Sequence, residues 1–271
     1  MASPLWLVLM LMVDRLPAQG VRVELKTLTP GLLEERLELA HPKSSERYKR
    51  LKALFQESGC GDLREQPVKG SKEPNLICAA GNGDEKARRI VVGAHFDCAG
   101  GRGIIDNWTG AILLTALASW MRQKLRKHSF HFVGFAAEEK GLLGSQAYLK
   151  AIPEDERKQI AAVLTMDSLG LTPTKYWPNS SNAALAQAAW ELAKAMQLSF
   201  QGVNVDNVGS TDSMTFHKAG IPVLSLHSVT KETWGLINSP KDVRESLSWN
   251  DYYDTHRLIS AILVRLDEGL P

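Results

Sequence analysis

The sequence predicts an α/β protein whose open, mostly parallel mixed sheet carries helices on both faces. Short apolar runs rich in β-branched and aromatic residues recur along the chain, and such runs are typical of strands buried on both faces of a parallel sheet. Segments with helical periodicity separate them, and this alternation favours the α/β class. The predicted strands are Arg89–Ala94, Ser129–Phe135, Ala161–Met166 and Ile221–Leu226. The predicted helices are Thr109–Leu125, Gly141–Lys150, Asn182–Met196 and Asn250–Asp267.

The region before these strands is predicted to add helices and a strand pair. Leu32–Phe55 has apolar residues at helical spacing with many charges between them, which indicates one or two amphipathic helices. Asp62–Val68 and Pro74–Ala80 are predicted to form two strands joined by a turn. If those strands pair, Cys60 and Cys78 come within bridging distance, and a disulfide would stabilise the fold by roughly 3 kcal/mol. The third cysteine would then be free, and three reduced thiols are the alternative.

Residues 1–20 are predicted to be a signal peptide, followed by a single domain over residues 21–271. Leu5–Val13 is an apolar run too short for a bilayer, which takes about 20 helical residues, but long enough for a signal-peptide core. Leu16–Gly20 then offers small residues for cleavage, although no Lys or Arg precedes the apolar run. We therefore expect a periplasmic or secreted protein without a stable membrane span. A retained lipid-facing anchor is the alternative.

The charge composition does not indicate a polyanionic partner. The chain has 32 basic and 30 acidic residues and a formal net charge of only +2. Binding of nucleic acid or of an acidic membrane would call for a stronger positive field. We therefore expect no nucleic-acid partner.

Titratable side chains follow each of the four predicted strands. Ligands of open α/β sheets bind beyond the carboxyl ends of the strands, so these side chains are expected to converge. Crowded carboxylates raise one another's pKa unless a cation neutralises them, and a divalent metal is such a cation. A mixture of imidazole and carboxylate suits zinc, with manganese or cobalt as substitutes. The side chains are His95 and Asp97, then Glu138 and Glu139, then Asp167, and finally His227.

Five segments resemble, in order, the motif series of the zinc aminopeptidase family, which also contains glutaminyl cyclases and glutamate carboxypeptidase. The Glu-Glu-x-Gly-Leu-x-Gly-Ser motif, combined with an upstream Asp-Asn and His-x-Asp, is the most specific part of this resemblance. The segments are Gly93–Asp97, Ile105–Ala111, Ala137–Ser145, Met166–Asp167 and Ser210–Asp212. The resemblance implies that the single domain is a metallopeptidase-like catalytic domain with one or two zinc ions.

The resemblance also implies a role for each matching residue. Asp106 matches the aspartate that bridges two zinc ions. His95 and Asp167 match the ligands that complete one zinc site, and Glu139 matches a ligand of the other. Glu138 matches the general base that moves the proton when water attacks the N-terminal peptide bond of a peptide substrate.

Asp97 is expected to be the hydrogen-bond partner of the ligand His95. The His-x-Asp spacing gives a physical reason, because a carboxylate two residues on can accept a hydrogen bond from the second imidazole nitrogen. That contact holds the ring in the tautomer that binds metal.

One ligand of the family pattern is missing. The exported bacterial members carry the last zinc histidine in a His-Ser-Pro-x-Asp segment, and the corresponding segment here is Asn238–Asp242. An amide oxygen is a poor substitute for imidazole at zinc, so we expect a weakened or empty second site. Completion of that site by His227 is the alternative.

Three functions remain open at this point. The first is a zinc aminopeptidase, and the second is a single-zinc acyltransferase similar to glutaminyl cyclase. Asn238 counts against the second, because the zinc of glutaminyl cyclases uses the missing histidine. The third is a non-catalytic binding protein with the same fold.

Overall fold

A computed structural model describes residues 30–81, 87–123, 126–207 and 209–269 of the chain. Its strands are β1 (Arg64–Gln66), β2 (Asn75–Ala80), β3 (Arg89–His95), β4 (Ser129–Phe135), β5 (Ile160–Met166), β6 (Lys175–Tyr176), β7 (Gln201–Gly202) and β8 (Val223–His227). Its α-helices are α1 (Pro30–Leu37), α2 (Ser44–Glu57), α3 (Thr109–Met121), α4 (Leu143–Lys150), α5 (Glu154–Arg157), α6 (Ala183–Ala195), α7 (Ser213–Lys218) and α8 (Trp249–Glu268). The predicted signal peptide lies outside the described residues.

The strands form one mixed sheet in the order β1-β2-β4-β3-β5-β8-β6-β7. The four central strands β4, β3, β5 and β8 run parallel to one another. Antiparallel pairing occurs towards the edges, between β1 and β2, β2 and β4, and β6 and β8. The prediction of an open, mostly parallel mixed sheet is confirmed, and the carboxyl ends of the central strands meet at one edge.

Helices cover both faces of the sheet. Along β3, Ile90 and Val92 belong to one apolar cluster and Val91 to another, as the alternation of side chains along a strand requires. The larger cluster includes apolar residues of α1, α2, α3, α6 and α8. The smaller one includes Tyr148 of α4 and Phe216 of α7. Among the helices in the described ranges, none is both long and apolar enough to cross a membrane.

Local sequence explains where several elements begin and end. The predicted helical region Leu32–Phe55 falls in two helices, and Pro42 lies in the connection between them, where it disfavours helical conformation in the residue before it. Helix α6 starts after Asn182, whose side chain accepts hydrogen bonds from the backbone N–H groups of the first turn at 3.0 and 3.2 Å. Strand β8 starts two residues later than predicted, since Pro222 has no N–H to donate to the sheet.

The two cysteines near the first strands form a disulfide. Cys60 and Cys78 are bonded, with their Cα atoms 5.9 Å apart, and β1 pairs antiparallel with β2. Strand β1 is shorter than the predicted Asp62–Val68. Cys98 is a free cysteine, as expected.

Candidate metal centre

A cavity of about 420 Å³ opens at the carboxyl ends of the central strands. Six of the side chains singled out in the sequence line it: His95, Asp106, Glu138, Glu139, Asp167 and His227. Asn238 lines it as well. The fold thus brings together residues that are far apart in sequence, in the place that an open α/β sheet uses for ligands.

Three of these side chains converge on a common point. His95 Nε2 lies 3.1 Å from Asp106 Oδ1 and 3.6 Å from Asp167 Oδ1. One potential ligand atom from each of the three residues lies within 4.8 Å of the other two. Among the described residues, these three side chains are therefore close enough to share one ion. His95 is 1% exposed, yet neither of its ring nitrogens has a hydrogen-bond partner. Because an unsatisfied buried nitrogen is costly, this set fits a metal ion bound at Nε2.

The electrostatics of the centre favour a cation. Burial lowers the pKa of the His95 imidazole, but Glu138, Asp106 and Asp167 outweigh burial and raise it well above its ordinary value. Burial raises the pKa of Glu138 to about 10, with a further contribution from Asp212. Burial and the neighbouring Asp106 raise the pKa of Glu139 to about 7. A divalent ion among these carboxylates would neutralise their negative charge and allow them to remain ionised.

Asn107 joins the segments that carry two of the converging carboxylates. Asp106 lies in the turn Ile104–Trp108, and Asp167 follows β5 directly. Asn107 Nδ2 donates to Met166 O at 2.7 Å, while its Oδ1 accepts from the backbone N–H of Ser168 at 3.2 Å. The buried amide therefore fixes the Asp106 turn against the end of β5.

Asp97 links the end of β3 to the Glu138–Glu139 turn. Its two carboxylate oxygens accept from the backbone N–H groups of Glu138 at 3.1 Å and Glu139 at 3.2 Å. Its Oδ1 also faces His95 Nδ1 at 3.5 Å, the position expected from the His-x-Asp spacing. Burial raises the pKa of Asp97, but His95 and these two N–H groups together hold it below its ordinary value. Asp97 is therefore an anion that holds the turn with the two glutamates by hydrogen bonds and lies next to the imidazole.

The other side of the cavity is organised differently. Glu139 Oε1 accepts a hydrogen bond from the backbone N–H of Ala99 at 2.9 Å. Asn238 has a left-handed backbone conformation with φ of 54°, which asparagine adopts more readily than most residues. Glu139 and Asn238 thus offer a carboxylate and an amide to this part of the cavity.

His227 is held by the protein through both ring nitrogens. Its Nε2 donates to Val203 O at 3.1 Å, and its Nδ1 accepts from the backbone N–H of Val229 at 3.2 Å. Burial lowers the pKa of the ring to about 4, so it is neutral around pH 7. The alternative in which His227 completes a second metal site is therefore not supported by this geometry.

Sequence reasoning left some residues of the centre without a role. Asp212 is 2% exposed, its Oδ1 has no hydrogen-bond partner, and burial raises its pKa to about 7. Asp242 accepts from the backbone N–H groups of Ile105 at 2.6 Å and Asp106 at 3.1 Å. Asp212 lies in a segment that carried the resemblance and Asp242 in the segment that departs from it, and this was the available signal. No pattern in the sequence distinguished the buried Arg47.

Comparison with known proteins places the chain among peptidases. The sequence profile of peptidase family M28 matches residues 75–263. The chain is 27% identical over 180 residues to Aminopeptidase YwaD of Bacillus subtilis (strain 168), which covers 64% of this chain and 40% of that protein. It is 31% identical over 163 residues to Leupeptin-inactivating enzyme 1 of Streptomyces exfoliatus, which covers 59% and 36%. The matched region is thus less than half the length of either relative.

Solved structures with the same fold include enzymes of two kinds. The LapA aminopeptidase of Legionella pneumophila superposes with a TM-score of 0.76 at 20% identity, covering 89% of this chain and 71% of that one. A glutaminyl cyclase from an Acidobacteriales bacterium superposes with a TM-score of 0.72 at 17% identity, covering 94% and 99%. At these identities the likeness establishes the fold, and the chemistry has to be argued from the cavity.

Proposed function

The chain belongs to peptidase family M28, as the resemblance of its motifs predicted, and from this premise we propose that it is a zinc-dependent aminopeptidase. The observation that carries the proposal is the convergence of His95, Asp106 and Asp167 around an unsatisfied buried imidazole, with Glu138 lining the same cavity. The relatives named as aminopeptidases support this reaction class. The substrate would be a peptide with a free N-terminus.

One zinc ion would be held by His95, Asp106 and Asp167, because one imidazole and two carboxylates form a donor set that zinc accepts. When bound, zinc polarises the scissile carbonyl and lowers the pKa of a water molecule. A second ion would contact Asp106 and Glu139. Asn238 supplies no imidazole there, so we propose that this second site is weak.

Glu138 would act as the general base. Burial raises the pKa of Glu138 in the metal-free chain, and a bound cation nearby would bring it back down towards neutral pH, where a carboxylate can take a proton from water and pass it to the leaving amine. Asp97 would act through position, because it binds the backbone N–H of Glu138 and faces the ring of His95. The two neighbouring glutamates would thus have different roles: Glu138 would transfer the proton, and Glu139 would contact the second cation.

We also propose that the protein is exported to the periplasm or secreted. The disulfide between Cys60 and Cys78 supports an oxidising compartment, where such bonds persist. Cell fractionation of the natural host with an antibody to the protein tests this. Recovery in the cytosol with both thiols reduced would contradict it.

The proposed reaction is tested by zinc content measured together with hydrolysis of aminoacyl anilides. Glu138→Gln should keep zinc and fold, while kcat falls by a factor on the order of 10³ or more, because the base is lost and the ligands are not. Glu154→Gln, on the exposed helix α5, is the matched control and should match the unaltered protein. Loss of zinc together with activity would instead exchange the roles of Glu138 and Glu139.

The same assays separate the competing functions. Cyclisation of an N-terminal glutaminyl peptide, with no release of amino acids from anilides, would favour the glutaminyl-cyclase reaction. Zinc binding without turnover of either substrate would favour a non-catalytic binding protein.

A further inference from the structure

Arg47 is a fully buried arginine beneath the metal centre. It lies on α2 and is 0% exposed, which is rare for a charged side chain. Its Nε donates to Phe96 O, and Nη1 donates to Arg102 O at 3.0 Å. Nη1 and Nη2 both donate to Gly103 O at 3.1 Å. All these acceptors are backbone carbonyls in the connection between His95 and Asp106.

The connection is shaped to fit around the guanidinium. Gly103 has a left-handed conformation with φ of 56°, and a Cβ at this position would lie 2.6 Å from Asp106 O and 3.0 Å from Arg47 Nη1. Trp108 closes the other side, with its ring centroid 5.1 Å from the guanidinium carbon. A side chain at position 103 would thus collide with both the guanidinium and the backbone of the metal ligand.

Asp242 complements Arg47 on the same segment. Arg47 binds carbonyl oxygens up to Gly103, and Asp242 binds the N–H groups of Ile105 and Asp106 that follow. Two buried charges of opposite sign therefore fix successive peptide groups immediately before the Asp106 side chain. Charge-assisted hydrogen bonds of this kind are roughly twice as strong as neutral ones.

We propose that Arg47 is a positioning residue for the metal centre: its guanidinium holds the connection between β3 and Asp106 in the conformation that places the Asp106 carboxylate beside His95. This inference rests on the metal site of the proposed function. It assigns Arg47 no contact with substrate.

The hydrogen bonds of Arg47 and its charge predict opposite changes in zinc affinity when the side chain is removed. The guanidinium lies among Asp106, Asp97 and Asp242, whose charges oppose the lowering of the Arg47 pKa by burial. A positive charge close to a cation site repels the cation, so loss of the charge alone would tighten zinc binding. Loss of the hydrogen bonds would release the connection and weaken zinc binding. The sign of the change in zinc affinity therefore distinguishes the two roles.

The test compares Arg47→Met and Arg47→Lys with the unaltered protein. We expect the zinc dissociation constant, measured by competition with a chelator, to rise roughly 10- to 100-fold in Arg47→Met, the scale for residues that orient metal ligands. Arg47→Lys keeps the charge but not the planar fork, so its affinity should fall in between. The Co²⁺ absorption spectrum should shift in both variants, since it reports ligand geometry.

Arg50→Met is the matched control. Arg50 lies on the same helix and also donates to a backbone carbonyl, that of Leu39, which is outside the connection. This variant should lower Tm without changing zinc affinity or the Co²⁺ spectrum.

An unchanged or lower zinc dissociation constant in folded Arg47→Met would overturn the proposal, whatever the Tm of that variant. Should that variant fail to fold, Arg47→Lys and Gly103→Ala carry the test, and unchanged affinity in both overturns it equally. Failure of the unaltered protein to bind zinc would overturn the proposed function along with this inference. Normal binding in the unaltered protein with no effect of Arg47 would overturn this inference alone.

Discussion

The two halves of the candidate metal centre share Asp106 but are built differently. In the half with His95 and Asp167, the possible ligand atoms lie within 4.8 Å of one another at the ends of central strands. In the half with Glu139 and Asn238, the side chains come from loops, and Glu139 is already hydrogen-bonded to the N–H of Ala99. Strand ends thus bring possible ligand atoms together, whereas the loop half offers a carboxylate and an amide, and we propose that it binds metal weakly for this reason.

The segment Asn238–Asp242, where the resemblance leads us to expect a ligand histidine, still contributes to the centre. Asn238 and Asp242 belong to the same short segment, and Asp242 accepts from the backbone N–H groups of Ile105 and Asp106. The segment therefore braces the shared ligand Asp106 even though it offers zinc no nitrogen. We propose that asparagine in place of histidine at position 238 weakens one half without loosening the other, so we expect one half to work alone.

The largest contrast should appear when each half loses a ligand. His95→Ala should bring zinc content close to zero and abolish hydrolysis, because the only imidazole of the set is removed. Glu139→Ala should leave about one zinc per chain, because its half contributes little to binding. Metal analysis after gel filtration of the two variants measures this. Equal loss of zinc from both variants would show that the two halves act as one site.

The position of the strand-end half was predictable from sequence because it follows from the periodicity of the strands, and the resemblance implied its role as a metal site. His95 directly follows one predicted strand and Asp167 directly follows another, so a parallel sheet was enough to bring them together. Asp106 required the resemblance, since it lies in a turn with no periodic signal. The two-residue strands β6 and β7 were missed because so short a segment has no recognisable alternation.

The supporting residues could not be predicted for a different reason. In sequence, Arg47 is one charge among many on an amphipathic helix, and only the connection folding over it makes it buried. Asp212 belongs to one of the motifs that carry the resemblance, but its proximity to Glu138 depends on the packing of α7. Periodicity identifies which face of an element is apolar, whereas the burial of a polar side chain is a property of the assembled fold.

An imidazole introduced at position 238 should strengthen metal binding in the loop half. Asn238→His should raise metal content from about one towards two per chain and raise aminopeptidase activity, because Asp106 and Glu139 are already in the cavity. Histidine tolerates the left-handed backbone found at this position. Asn238→Ala, the control, should stay near one metal. Two tightly bound zinc ions in the unaltered protein would contradict a weak second half.

The smallest effect on metal is expected at His227, whose nitrogens are both used inside the protein. His227→Gln should leave zinc content unchanged but raise KM several-fold, because the ring lines the cavity and ties Val229, which also lines it, to Val203. The same substitution should also make the folded protein lose less stability at acidic pH. Since burial lowers the pKa of His227 from 6.5 to about 4, the unfolded chain binds the proton more readily, and stability falls as pH drops from about 6.5 to 4, by up to roughly 3 kcal/mol.

His256→Gln separates these two consequences of the His227 substitution. His256 lies on α8, and burial lowers its pKa to about 4 as well, but it does not line the cavity. Both variants should therefore keep more of their stability at pH 4 to 6, measured as Tm across pH, while only His227→Gln should raise KM. If His227→Gln instead removed a metal ion that His256→Gln retained, His227 would be a ligand after all. The loop half of the centre would then be as complete as the strand-end half, and the contrast between them would fail.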